Sequence, residues 1–70
     1  MTKRPIFNAA KFGERLRVAL ARRNISVRDA AKEIGISHAT VSRTSAGKIP
    51  NIENYLRITV WLEKNERRAA

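Results

Sequence analysis

A short stretch from Ser37 to Arg43 contains the side chains of this chain that are best suited to recognise a polar ligand. Four of its residues are candidates for contacts with the edges of DNA bases: His38, Ala39, Ser42 and Arg43. The planar guanidinium of Arg43 can donate to both O6 and N7 of a guanine, and the methyl group of Ala39 can pack on a thymine methyl. Alternatives stay open, because Arg43 could contact phosphate or lie in solvent, Ala39 could simply allow close approach, and His38 could bond a phosphate or water instead.

A second set of polar and basic residues suits phosphate groups. Ser37 and Thr40 lie at the predicted start of a helix, where free amides and the positive end of the helix dipole attract anions. Ser37 could also act as a helix cap, and the two roles are compatible. The predicted DNA backbone contacts are Arg28, Ser37, Thr40 and Lys48, and the candidates for a minor-groove or backbone arm are Lys3 and Arg4.

Two short helices must position these side chains. Ser26 is a predicted N-cap with Asp29 as its capping-box partner, and Gly35 ends the helix where φ must be positive. Ser37 caps the next helix only two residues later, so the two helices must meet at a steep angle. Small and aliphatic residues would hold them together: Val27, Ala30, Ala31, Ile34, Ile36 and Val41. This is the layout of a DNA-binding helix-turn-helix, whose second helix enters the major groove.

The same residues carry a resemblance to a known family. Ala31, Gly35 and Val41 match the small–glycine–aliphatic framework of helix-turn-helix proteins. The run from Gly35 to Arg43, followed by Gly47-Lys48 and Pro50-Asn51-Ile52-Glu53, is similar to the phage repressor/Cro-like (XRE-type) family. The resemblance spans about Phe12 to Leu62 and implies a lambda-repressor-like fold that binds DNA.

The chain departs from the family pattern at three points. Val27 stands where the family often has a glutamine that contacts phosphate, and Thr44-Ser45 replaces an aliphatic–acidic pair. The sequence also stops soon after Leu62, where family members usually continue into a fifth helix. We therefore expect no phosphate contact from position 27, a weaker core beneath the recognition helix and at most a short fifth turn.

The rest of the sequence predicts an all-α domain with four helices. Asn8 caps the first helix, Phe7 and Phe12 form a hydrophobic staple, and the helix ends near Asn24. The other helices are predicted at about 27–34, 38–46 and 52–64, and no segment alternates as a strand does. The predicted organisation is a basic arm at residues 1–7, the DNA-binding domain at 8–64 and a flexible tail at 65–70.

Trp61 is unusual in the predicted fourth helix. Helical phase groups five residues as the buried stripe, namely Ile52, Tyr55, Leu56, Thr59 and Leu62. That phase puts Trp61 on the opposite side, exposed, with Val60 at the edge of the stripe. We therefore expect Val60 and Trp61 to form a dimer interface, the alternative being that Trp61 covers Ile6 or Phe7.

The composition narrows the function further. The 70 residues have a formal net charge of +9 and no cysteine, which favours a single domain that binds a polyanion and excludes a thiolate metal site. His38 is the single histidine, and no nucleophile–base–carboxylate set is present. We therefore expect that the chain is not an enzyme and that it binds neither a metal nor a cofactor. No spanning segment or signal peptide is visible, so we expect a cytoplasmic protein with no membrane partner.

The sequence thus predicts a DNA-binding transcriptional regulator, a repressor that binds an inverted repeat as a homodimer. One alternative is an antitoxin-like module that binds both DNA and a second small protein through the Trp61 face. Another is a general nucleic-acid binder driven by charge, which would bind unrelated duplexes with similar affinity.

Overall fold

A computed structural model describes residues 7–69 of the chain. These residues form four α-helices: α1 (Ala9–Arg23), α2 (Val27–Ile34), α3 (His38–Ser45) and α4 (Ile52–Ala69). No strand is present among them, and the all-α prediction is confirmed. Lys3 and Arg4, together with most of the predicted basic arm, lie outside the described residues.

Local capping explains where the first helices begin and end. The Asn8 side chain accepts from Lys11 N at 3.1 Å, and the Phe7 and Phe12 rings lie 5.3 Å apart, so the predicted cap and staple are both confirmed. Asn24 ends α1 in the left-handed conformation with φ 53°. The Ser26 hydroxyl accepts from Asp29 N at 3.1 Å to begin α2. These interactions are local, which is why the sequence predicted both boundaries.

The core lies where the four helices converge. Leu16 of α1, Val41 of α3, and Ile58 and Leu62 of α4 have no exposed surface, and Ala30 of α2 is equally buried. The small side chains on α2 let α3 approach closely, as the helix-turn-helix pattern predicts. Phe7, Phe12 and Tyr55 form an aromatic cluster with ring centroids 5.1–5.3 Å apart, which ties the segment before α1 to α4.

The prediction for the face of α4 is correct for Leu62 and Tyr55 but wrong for Ile52, Leu56 and Trp61. Trp61 is 6% exposed and belongs to the core, whereas Ile52 and Leu56, which were predicted to be buried, are 78% and 56% exposed. The buried face is centred instead on Ile58, Trp61, Leu62 and Asn65. The helix is apolar around much of its circumference, so periodicity alone did not identify the face that α1 and α2 cover. Trp61 therefore cannot serve as an exposed dimer contact.

The predicted end of α4 is also wrong. The helix continues past Lys64 to Ala69, so the segment predicted to be a flexible tail is helical to that residue. Asn65 is buried and its amide donates to Trp61 O at 2.7 Å. Glu66 accepts two bonds from Arg15 of α1, at 2.5 and 2.7 Å. The Asn65 bond lies within α4, and the Arg15–Glu66 bonds join α1 to the last turns of α4, beyond the last large apolar residue of that helix.

Candidate nucleic-acid interface

The turn between α2 and α3 fixes the geometry of the candidate interface. Gly35 has φ 90°, a conformation that side chains with a Cβ rarely adopt, and its N–H donates to Ala31 O at 2.8 Å. The Ile36 N–H donates to the same carbonyl at 3.1 Å. The chain therefore reverses within two residues, and α3 begins directly against the end of α2.

The first turn of α3 has the features of an anion-binding site. The Ser37 hydroxyl accepts from Thr40 N at 3.2 Å and lies 2.8 Å from the Thr40 hydroxyl. The amides of His38 and Ala39 precede the first residue that has an intrahelical carbonyl partner, so they can bind a ligand. Ser37 is therefore a cap, as predicted.

The outer face of α3 carries the four residues predicted to contact bases. His38, Ala39, Ser42 and Arg43 are exposed. On the opposite face Val41 is fully buried and Thr44 is 1% exposed, so the predicted helical phase is correct. Thr44 fills the position beneath α3 where the family pattern has an aliphatic residue. Contact of the four exposed residues with DNA remains a prediction.

The predicted phosphate contacts lie around this face. Arg28 is exposed in the first turn of α2, and Lys48 is exposed just beyond α3. Lys48 is held there because Gly47 has φ 99° and the Lys48 N–H donates to Arg43 O at 3.0 Å. Thr40 is half-buried, with its hydroxyl already next to that of Ser37, which makes it the least accessible of the four predicted contacts.

Ion pairs elsewhere leave these cations available. Within residues 7–69 the salt bridges join Arg15 to Glu66, Arg23 to Glu33 and Arg57 to Glu53. In a chain of net charge +9, three of the six acidic side chains thus pair with arginines of α1 and α4, while Arg28, Arg43 and Lys48 take part in none of these salt bridges.

The position of α3 depends on α1, a feature that the sequence analysis missed. A Cβ atom on Gly13 would lie 2.6 Å from Thr44 O and 2.9 Å from Ser45 O, so only glycine lets the two backbones meet here. Arg17, one turn later, donates from Nη1 to Ser45 O. Gly13 thus leaves room for the carboxyl end of α3, and Arg17 satisfies a carbonyl there. The signal in the sequence was a glycine inside a helical pattern, where it is otherwise unfavourable.

The position of α2 depends on a polar network that was also missed. Arg23 of α1 donates to both carboxylate oxygens of Glu33, at 3.0 and 2.9 Å, and also to Asn65 Oδ1. The indole N–H of Trp61 donates to Glu33 Oε1 at 2.9 Å. Arg23 therefore connects three helices, α1, α2 and α4. The buried Trp61 is thus an anchor for α2.

The described part of the chain holds no group of three or more His, Cys, Asp or Glu side chains that could bind a metal ion. No helix in residues 7–69 is long and apolar enough to cross a membrane.

Comparison with known families gives one match. Residues 15–59 match the family model described as the Cro/C1-type HTH DNA-binding domain. The matched segment includes all of α2 and α3, the turn between them, and parts of α1 and α4. No curated protein and no solved structure matches the chain.

Proposed function

The chain belongs to the Cro/C1-type helix-turn-helix DNA-binding family, and from this premise we propose that it is a sequence-specific repressor. It binds an inverted-repeat operator as a homodimer in the cytoplasm. The observation that carries this proposal is the outer face of α3, where exposed polar side chains flank a free helix N-terminus. That face holds the four predicted base contacts, all of them exposed: His38, Ala39, Ser42 and Arg43.

The proposed mechanism divides the contacts into two kinds. The exposed face of α3 enters the major groove, where Arg43 donates to a guanine and Ala39 allows close approach or packs on a thymine methyl. Ser37, with the amides at the start of α3, binds one phosphate, and Arg28 and Lys48 bind others. Phosphate contacts set the position of the helix, and the side chains of α3 select the sequence.

Occupancy of the operator would be sufficient for repression. The four helices form one core, and the contacts of α1 and α4 described above hold α2 and α3 in place. A bound dimer covers the operator and excludes other proteins from it. The antitoxin-like alternative depended on an exposed Trp61 face, and the burial of that residue removes its support.

Charge-driven binding is the second candidate, because a net charge of +9 attracts any nucleic acid. Selection of bound duplexes from a random pool separates the two. A sequence-specific repressor recovers a two-fold symmetric site and prefers it over unrelated DNA by roughly 10³-fold or more. Recovery of unrelated sequences with equal affinity would refute the proposal.

Arg43→Ala tests the assignment of the base contact within the same experiment. We expect a loss of about 1–3 kcal/mol in operator binding and relaxed preference at one base pair in each half-site. The matched control is Lys48→Ala, which removes a phosphate contact and should weaken binding to all sequences alike. If Arg43→Ala also weakens operator and random DNA by the same factor, Arg43 contacts only the backbone.

A further inference from the structure

A groove lies between α1 and the last turns of α4, on a part of the surface to which the proposed function assigns no role. Its volume is about 570 Å³, which falls in the range of about 300–1,000 Å³ that is typical of small-molecule sites. Its floor is built around Val18 and Ala19, and four basic side chains surround that floor: Lys11, Arg15, Arg22 and Arg23. We refer to the space lined by these residues as the α1–α4 groove.

The floor of the groove is apolar because the end of α4 places no large side chain over it. Val18 is 44% exposed and lies next to the buried Ala19. The residues that α4 contributes to the groove are Asn65 and Glu66. The side-chain amide of Asn65 is already bonded at both ends, since it accepts from Arg23 and donates to the Trp61 carbonyl. The floor therefore suits the apolar part of a ligand.

A cation stands at each end of this floor. Lys11, Val18 and Arg22 are separated by seven and four residues, so at 3.6 residues per turn they lie along one line of α1, with Val18 between the two cations. Lys11 and Arg22 are exposed, and neither forms a salt bridge within residues 7–69. Glu14 and Glu66 also line the groove, but Glu66 is already bonded to Arg15. The groove thus has an excess of positive charge, which attracts an anion.

We propose that the α1–α4 groove binds a small organic dianion, an elongated molecule whose two acidic groups are joined by an apolar chain. Lys11 binds one acidic group, Arg22 binds the other, and the chain packs on Val18. The two cationic residues are about 16 Å apart along the helix axis at a rise of 1.5 Å per residue, and both side chains are long enough to lean towards Val18. A molecule with one acidic group engages only one end, so the site favours two.

The groove is separate from the proposed DNA-binding face. At 100° per residue, the line through Lys11, Val18 and Arg22 is about 140° around α1 from Gly13 and Arg17. Gly13 and Arg17 are the residues that contact the end of α3. The inference therefore goes beyond the proposed function and does not depend on it.

Sebacate, a linear dicarboxylate with a long methylene chain, is the probe that tests the groove. Titration of the isotope-labelled chain at constant ionic strength, followed by amide NMR shifts, locates the binding site. We expect saturable shifts of the Val18 and Ala19 amides and of the Asn65 side-chain amide. The amides of His38 and Ala39 are the internal comparison, because a free helix N-terminus attracts any anion. Octanoate, which has one carboxylate, and succinate, which lacks the long chain, should both bind the groove more weakly.

Substitutions at exposed positions test the roles of the individual residues. Lys11→Gln and Arg22→Gln should each weaken sebacate binding by about two- to fivefold, the range of an exposed ion pair. Val18→Glu should weaken it further, because it places a carboxylate in the middle of the floor. The matched control is Lys64→Gln, since Lys64 is exposed on α4 outside the groove and its loss changes the net charge by the same one unit. It should bind sebacate as the wild type does, and circular dichroism should show unchanged helical content in all four variants.

The proposal is overturned if sebacate gives no saturable shift in the groove, or if the amides of His38 and Ala39 respond equally. It is also overturned if Lys64→Gln weakens binding as much as Lys11→Gln, because binding would then follow net charge alone. If sebacate does not bind and Lys11→Gln makes the salt dependence of DNA binding shallower, the groove contacts the DNA backbone instead. The NMR titration contains no DNA, so a random duplex pool that returns no preferred sequence would refute the repressor proposal and leave the groove inference standing.

Discussion

Replacement of Gly13 by alanine adds one methyl group where α1 contacts the end of α3. The new Cβ would lie 2.6 Å from Thr44 O, 2.9 Å from Ser45 O and 3.2 Å from Gly47 N. All three atoms belong to the backbone, so they can move only if the end of α3 moves. Helix propensity acts in the opposite direction, because alanine is more favourable than glycine in a helix by about 1 kcal/mol.

The steric effect should exceed the gain in helix propensity. Overpacking against a rigid neighbour costs about 1–3 kcal/mol, and this contact is closer than real Cβ atoms tolerate. We therefore expect Gly13→Ala to lower the free energy of unfolding by about 1–2 kcal/mol, and Tm by roughly 5–15 °C for a domain of this size. Operator affinity should fall as well, because the displaced segment lies between Arg43 and Lys48.

Thermal and urea unfolding, followed by circular dichroism, measure the effect. The control is Ala21→Gly at an exposed position of the same helix, where helix propensity predicts a loss of up to about 1 kcal/mol. Gly13→Ala adds a methyl group and Ala21→Gly removes one, yet both changes should destabilise the protein. Stability of Gly13→Ala equal to or above that of the wild type would show that α3 is not seated on α1 in this way.

Three further predictions follow from the contacts described above. Arg28→Ala should make the dependence of log K on log salt shallower by up to about one unit per subunit and leave the selected sequence unchanged; an identical slope would exclude a phosphate contact. Trp61→Phe removes the indole donor to Glu33 and should lower the free energy of unfolding by about 1.5–3 kcal/mol in urea, while an unchanged stability would show that the bond is not needed. A hydrogen bond from Arg15 lowers the pKa of Glu66 below its ordinary 4.5. The stabilisation of the folded state by this interaction is therefore present above that pH and is lost as the pH falls through the lowered pKa. Because the Arg15 and Glu66 side chains are partly exposed, their ion pair contributes at most about 1 kcal/mol to stability. The difference in the free energy of unfolding between the wild type and Glu66→Gln should disappear at acid pH, and a difference that persists there would contradict this account.

Features set by local interactions could be predicted from the sequence. Asn8, Ser26 and Ser37 accept hydrogen bonds from amides three residues later, so each helix start depends on residues adjacent in the chain. Gly35 supplies the positive φ that the turn requires. The phase of α3 was also predictable, because Val41 is its single large apolar residue and leaves no competing face.

Contacts between helices determine which face of α4 is buried and how far the helix extends. Apolar residues lie around most of α4, so several faces satisfied the helical period, and contacts with α1 and α2 selected one of them. Glu33, which is distant in sequence, accepts a hydrogen bond from the indole N–H of Trp61 and so holds Trp61 in the core. Arg15 binds Glu66, which lies beyond the predicted end of α4. The requirement for glycine at position 13 arises in the same way, since it comes from the backbone of α3 and not from neighbouring residues. Such contacts between residues far apart in the chain leave no periodic signal, which is why the fold had to be seen before they could be assigned.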